Sequence, residues 1–256
     1  MAGRNVILTA VQGIPLIEPG DDLGAILIDA LRESGIAPRD SDVLVIAQKI
    51  VSKAEDRYVD LSTVVPSARA VELAQSVRKD PRIVEVILAE SQEVVRHRDG
   101  VLIVAHRLGF VMANAGVDQS NIEHPAGGER VLLLPRDPDA SCASLKARLD
   151  QTFDADLGIV INDSFGRAWR NGVVSVAIGA AGLPSLVDVV GAPDLFGRPM
   201  RVTEIALADE IASAASLLMG ETDAGLPFVH VRGLAWDAQA RNAAALIRPK
   251  ERDLFR

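Results

Sequence analysis

Leu157-Gly-Ile-Val-Ile161-Asn-Asp-Ser-Phe-Gly-Arg167-Ala-Trp-Arg-Asn-Gly-Val173-Val-Ser-Val-Ala-Ile178 is the stretch on which the fold turns. Leu157 to Ile161 reads as a buried strand and Val173 to Ile178 as a second, both rich in β-branched residues. Between them Asn162 to Gly172 is dense in polar and turn-forming residues and has no helical period. Working outward, Val6–Leu8 and Val43–Ile46 read as strands that flank a helix from Asp21 or Asp22 to a stop at Gly35. A second helix is predicted over Ser67–Lys79, closed by Pro81. Val84–Leu88, Glu93–His97 and Val101–Ala105 read as a strand meander with Asp99-Gly100 as a turn, the first of them also open to a helical reading. Residues 114–130 are a loop by composition, followed by a short strand at Leu132–Leu134 and a helix over Ser141–Phe153. Beyond the opening stretch come a strand at Leu186–Val190, a helix over Thr203–Met219, a strand at Phe228–Val231 and a helix over Asp237–Ile247. In the Thr203–Met219 helix Thr203 is the N-cap, Gly220 the stop, and Ile205, Ala208, Ile211, Ala212, Ala215 and Leu218 the inner stripe. Strands and helices mix without regular βαβ alternation, so the class is α+β.

The chain has 256 residues, enough for a substantial core, and 48% of them are hydrophobic. Only 4% are aromatic, so burial rests on Val, Ile, Leu and Ala, and base-stacking platforms are disfavoured. The formal net charge of -8 argues against general nucleic-acid binding. No apolar run approaches the ~18 residues of a membrane span. Met1–Asn5 lacks a signal-peptide layout, and a cytoplasmic location is expected. Cys142 stands alone, which excludes an intrachain disulfide and a cysteine-based zinc site.

Walker, dinucleotide-binding and serine-hydrolase motifs are absent. His97, His106, His124 and His230 are scattered, with no His-Glu-x-x-His. Asp163-Ser-Phe-Gly166 looks like a kinase motif but has no companion elements. Three polar clusters remain where loops leave strands. In Ala47–Glu55 two lysines follow a buried strand; extended alternation would put Lys49, Val51 and Lys53 on one face, opposite Gln48, Ile50 and Ser52. In Asn114–Asn121, Asp118 and Asn121 suit a hard cation and its ligand, although taken alone an Asp-x-x-Asn spacing is better read as an Asx-turn. In Asn162–Gly172 an aspartate and a hydroxyl at a strand end suit divalent cations, and Arg167, Arg170 and Trp169 offer an anion clamp with a stacking surface. Carboxylates for metal, cations for phosphate and no nucleophile–base pair together fit phosphoryl transfer.

Six stretches in order along the chain resemble one family, the coenzyme F420-0:L-glutamate ligases, or γ-glutamyl ligases of F420 biosynthesis. They are Gly13–Ile17, Ala47–Glu55, Ala113–Asn121, Asn162–Gly172, Ala177–Gly182 and Ile247–Phe255. The resemblance implies a GTP-dependent ligase that phosphorylates the carboxylate of F420-0. The amine of L-glutamate then displaces phosphate. It implies Mn²⁺ or Mg²⁺ at two sites, an assisting K⁺, and a homodimer of two intertwined α+β subdomains with mixed, mostly antiparallel sheets. By position, Asp118 and Asp163 would ligate the first metal and Ser164 the second, with Glu221 completing it. Ile14, Pro15, Leu16, Ile17, Gln48, Asn121, Gly220 and Glu221 would contact the nucleotide, and Lys53 would hold phosphate. Asp118, Asp163 and Lys53 form the implied catalytic set.

Two departures stand out: Gln48 where many members have Ser, and Ser164 where many have Thr. Ser164 keeps the oxygen ligand; Gln48 keeps hydrogen bonding while altering nucleotide contacts. The expected organisation is one ligase domain over 1–256, without the nitroreductase-like domain some relatives carry. A non-catalytic nucleotide- or metal-binding module of the same fold, and the same ligation on another acceptor acid, are the competing readings.

Overall fold

The computed structural model describes residues 5–124 and 128–254. The Met1–Arg4 leader reading, the centre of the 114–130 loop and the end of the Ile247–Phe255 motif lie outside the described residues. In chain order the elements are β1 (Ile7–Ala10), α1 (Leu23–Glu33), β2 (Val43–Ala47), α2 (Gln48–Ala54), β3 (Tyr58–Asp60), α3 (Ala68–Val77) and α4 (Pro81–Ala89). There follow β4 (Ser91–Arg98), β5 (Val101–His106), β6 (Val111–Ala113), β7 (Arg130–Leu132), α5 (Pro138–Phe153), β8 (Gly158–Arg167) and β9 (Arg170–Ala181). The last are β10 (Val187–Asp188), β11 (Glu204–Ile205), α6 (Leu207–Met219) and β12 (Phe228–Arg232).

The class is α+β. The main sheet has the order β1-β12-β2-β8-β9, antiparallel except for the central β2–β8 pair. That centre explains the Val43-Leu-Val-Ile46 run, because both faces are covered. Leu44 and Ile46 pack with Leu27 and Leu31 of α1 and Leu149 of α5. Val43 and Val45 pack with Ala208, Ile211 and Ala215 of α6 on the opposite face. A separate three-stranded sheet, β4-β5-β6, backs onto α3 and α4 around Ala70, Val77, Val84 and Leu102. The short β3–β7 pair lies alongside α2 and the Asp118 loop, Asp118 itself bridging to Leu132.

Local chemistry sets most boundaries as the sequence predicts. Asp22 and Ser67 cap α1 and α3 by accepting from the Ala25 and Ala70 backbone N–H groups, while Asp137, accepting from Ala140 N–H, starts α5 at Pro138, ahead of the expected Ser141. Asp99-Gly100 turns β4 into β5, with Gly100 at φ 78°. Five expectations need correction. Val84–Leu88 is helical, because Asp80 caps and Pro81 opens α4. Gln48–Ala54 is a helix rather than an extended segment. The polar stretch Asn162–Gly172 is no loop; it lengthens β8 and β9 into a hairpin that turns at Ala168 and Trp169, the latter at φ 64°. Thr203 caps nothing: its carbonyl accepts from Val189 N–H, Glu204–Ile205 pairs with β10, and α6 starts at Leu207, leaving Leu218 partly exposed. Asp237–Ile247 carries only a 3₁₀ turn over Ala243–Leu246, since the Asp139 carboxylate takes the Ala243 and Ala244 N–H groups and Arg241 N–H donates to Leu183. Those tertiary bonds override an Ala-rich helical propensity.

Gly182 ends β9 at φ 78°, where an added Cβ would lie 2.2 Å from the Leu157 carbonyl oxygen. Because that neighbour is backbone at the root of β8, it cannot yield. Gly182→Ala is expected to cost about 2 kcal/mol, read as a lower midpoint in urea unfolding with unchanged slope.

Candidate active site

α2 starts directly where β2 ends, so the lysines of Gln48-Lys-Ile-Val-Ser-Lys53 stand one turn apart on the same helix face. The expected pairing of Lys49 with Lys53 therefore holds, but for a helical reason, and Gln48 shares the other face with Ser52. Gln48 is buried, and its side-chain carbonyl accepts from the Ser52 hydroxyl at 2.8 Å.

The lysines reach across to the Asp118 loop. Lys49 Nζ donates to Asp118 Oδ2 at 2.7 Å and to Ser120 Oγ at 2.7 Å. Asp118 also accepts from the Ser120 backbone N–H at 2.8 Å and its hydroxyl at 2.9 Å. Burial draws the Asp118 carboxyl upward, yet the Lys49 and Ser120 hydrogen bonds outweigh it and hold the group below the usual range. Lys53 Nζ donates to the Asn121 carbonyl at 2.8 Å. Its ammonium is pulled below its ordinary value by burial first and then by the neighbouring charges of Lys49 and Arg130. Asn121, at φ 54°, donates through Nδ2 to the Thr222 carbonyl at 2.9 Å, which ties this loop to the turn after α6.

β8 delivers the third carboxylate. It runs on past the end of β2, which pairs only as far as Ala47↔Asn162, so Asp163 and Ser164 emerge beside the start of α2. Asp163 keeps partial solvent contact, yet the surrounding protein desolvates its carboxyl and pushes it up to about 7. The Ser164 N–H and Lys49 oppose that rise, while Asp118 and Glu221 add to it. Ser164 Oγ donates to Glu221 Oε1 at 2.8 Å, and Gly220, at φ 70°, ends α6 and turns the chain toward that contact. Next to Asp163, the buried Asn162 Oδ1 accepts no hydrogen bond.

The structure thus gathers Lys53, Asp118, Asn121, Asp163, Ser164, Gly220 and Glu221 around one end of the main sheet. Ile14–Ile17 lies in the irregular segment before α1; Ile17 is buried in the core and Leu16 is 90% exposed. Arg167 and Arg170 face each other at the hairpin tip, with Trp169 exposed between them. Four residues of extended chain separate Arg167 from Asp163, about 13 Å, so the arginines are not part of the carboxylate cluster. Lys49 and Ser120 as the partners of Asp118, and Thr222 as the partner of Asn121, are additions that spacing did not reveal. Helical periodicity in Ala47–Glu55 could have put Lys49 beside Lys53, but not against Asp118.

Among the described residues no three His, Cys, Asp or Glu side chains converge on one point as a metal-binding group. The donors nevertheless fit a hard divalent cation. All are oxygens, and desolvation with the nearby charges of Asp118 and Glu221 raises the Asp163 carboxyl, a cost that a bound cation would offset. A cluster of carboxylates faced by two lysines can take anionic groups together with the divalent cations that accompany them.

Comparison with known proteins narrows that chemistry. The profile of the F420-0:gamma-glutamyl ligase family matches residues 13–233. The coenzyme F420:L-glutamate ligase of Methanothermobacter thermautotrophicus is 42% identical over 98% of this chain and 99% of its own. The enzyme of the same name from Methanopyrus kandleri is 44% identical over 96% of this chain and 97% of its own. That from Methanocaldococcus jannaschii is 42% identical over 85% of each. The chain belongs to the F420-0:gamma-glutamyl ligase family. No helix among the described residues is long and apolar enough to cross a membrane.

Proposed function

We propose that the protein ligates L-glutamate to coenzyme F420-0 at the expense of GTP. The observation that carries this reading is the placement of Lys53, Asp118, Asp163, Ser164 and Glu221 around one end of the main sheet in a chain that matches the family over residues 13–233. A carboxylate is a poor electrophile until it carries a leaving group. In the first step an oxygen of the F420-0 carboxylate attacks the γ-phosphorus of GTP, the bond to the β-phosphate oxygen breaks and GDP leaves. In the second the glutamate amine attacks the acyl carbon, the carbon–oxygen bond to phosphate breaks, and phosphate and a proton depart.

Asp118 and Asp163 would hold one divalent cation, Mn²⁺ or Mg²⁺, and Ser164 with Glu221 a second. When bound, the ions neutralise charge between carboxylate and triphosphate. Lys53, already displaced toward its neutral form by burial and like charge, favours an arriving phosphate that restores its charge balance. Lys49 holds Asp118 in place and would exchange that contact for phosphate oxygens as a cation arrives. Asn121 and the Gly220–Glu221 turn, joined through Thr222, would border the nucleotide, as would Ile14–Ile17. Gln48, with its carbonyl on Ser52, retains only its amide N–H groups for that role. An assisting K⁺, a homodimer and a cytoplasmic location belong to the same proposal.

The test is a turnover assay with purified protein, F420-0, GTP, L-glutamate and Mn²⁺. GDP and glutamylated F420 should appear together in equal amounts. Neither product forming, with both substrates intact, would sink the reading.

A further inference from the structure

One cleft shares Asp118 with the scheme above, and its other lining residues have no part in it. It encloses about 250 Å³ and is lined by Lys79, Asn114, Gln119 and Asp118, over a floor of Ile83, Ile87, Val117 and Val131. At ~30 Å³ per water, that is room for roughly eight waters, the scale of a small amino acid. We propose that this cleft is the subsite for the incoming α-amino acid, with Lys79 as the residue that recognises a carboxylate; the identification of that amino acid as L-glutamate rests on the ligase reading.

The cleft is lined by charges of both signs. Asp118, whose charge is felt by Asp163, supplies a carboxylate, and Lys79 supplies an ammonium from the turn after α3. Among the described residues no carboxylate pairs with that ammonium. A lysine lining a cleft without a carboxylate partner has its ammonium donors available for an arriving carboxylate, which accepts them in charge-assisted hydrogen bonds. The zwitterion then lies with its amine toward Asp118, where the acyl carbon is to be attacked, and a carboxylate toward Lys79.

Asn114 supports the same assignment through its backbone. Asn114, Ala115 and Gly116 lie consecutively at φ 53°, 53° and 67°, a left-handed run that costs energy at the two non-glycine positions. The strain is held by Asn114 Oδ1, which accepts from Leu102 N–H at 3.1 Å, and by Ala115, fully buried where the turn packs on α4 and β5. With its oxygen so engaged, the Asn114 amide has its N–H₂ group as the donor it can offer the cleft. Two donors and a carboxylate around a cleft of this size match an amino acid and not a nucleotide.

Lys79→Met is expected to raise KM for L-glutamate by about 10- to 100-fold, with KM for GTP within twofold of wild type. Lys79→Arg should restore KM to within about fivefold. Calorimetric titration of L-glutamate into the metal-loaded, GDP-bound protein gives a second readout, in which Lys79→Met loses the binding that wild type shows. Should Lys79→Met fold poorly, Lys79→Gln takes its place in both measurements. If wild type ligates and the neutral variant keeps its KM for glutamate, the subsite is overturned while the ligase reading stands. If wild type makes no product yet binds L-glutamate through Lys79, the ligase reading fails and the subsite survives.

Discussion

Asp163→Asn should abolish glutamyl transfer, lowering turnover at saturating Mn²⁺ by at least about 10³-fold, while leaving the fold intact. The substitution keeps shape and removes the negative charge on which cation binding depends. Its effect on stability should run the opposite way from its effect on activity. Burial raises the native carboxyl to about 7, against 3.8 for an unperturbed aspartate, so the folded state binds the proton more tightly than the unfolded one. The resulting penalty is absent below pH 3.8, grows as pH rises toward 7 and is constant above it. In chelator-treated protein at pH 8, Asp163→Asn should therefore melt no lower than wild type, and higher by the equivalent of about 2 kcal/mol once residual solvation is allowed for. A variant that stays active at saturating metal would remove Asp163 from the metal site. One that melts well below wild type would show the carboxylate to be a structural group.

That opposition between stability and activity is what separates the legible parts of this sequence from the hidden ones. The Val43-Leu-Val-Ile46 and Leu157–Ile161 runs declare themselves as central strands because both of their faces are buried, and caps such as Asp22 and Ser67 act within four residues of themselves. The misread segments are those whose conformation depends on distant partners. Asn162–Gly172 looks like a loop because its polar residues serve a site, yet the pairing of Asp163 with Val176 and Ser164 with Ser175 makes it strand. Residues 237–247 look helical until the Asp139 carboxylate, some hundred positions earlier, claims their N–H groups. In the site itself, residue types and motifs singled out Asp118, Asp163 and Lys53. No spacing rule could show that Lys49 would be the hydrogen-bond partner of Asp118, because that contact exists only after β2, α2 and the Asn114–Asn121 loop have packed together.

Glu90→Gln is expected to be strongly destabilising. Glu90 ends α4, and its Oε2 receives Arg57 Nη2 at 3.0 Å and Arg107 Nε at 3.0 Å, with His106 Nε2 at 3.5 Å. Arg57 also donates to the Leu134 carbonyl, so one carboxylate joins the α3–α4 layer, β5 and the chain entering β3. Burial works against its ionisation, but the contacts with His106, Arg107 and Arg57 prevail and lower it to about 2. The unperturbed value is 4.5, so the stabilisation is fully present above pH 4.5 and is lost as pH falls through about 2. The difference corresponds to on the order of 3 kcal/mol. Removing the charge also leaves two guanidinium groups facing each other, Arg57 largely buried, without the anion between them. Urea unfolding at pH 7 should therefore show Glu90→Gln less stable by about 3 kcal/mol, and at pH 2 the gap should narrow to below 1 kcal/mol as wild-type Glu90 takes up its proton. A gap that stays constant between the two pH values would mean that Glu90 acts through shape and hydrogen bonding and not through its charge.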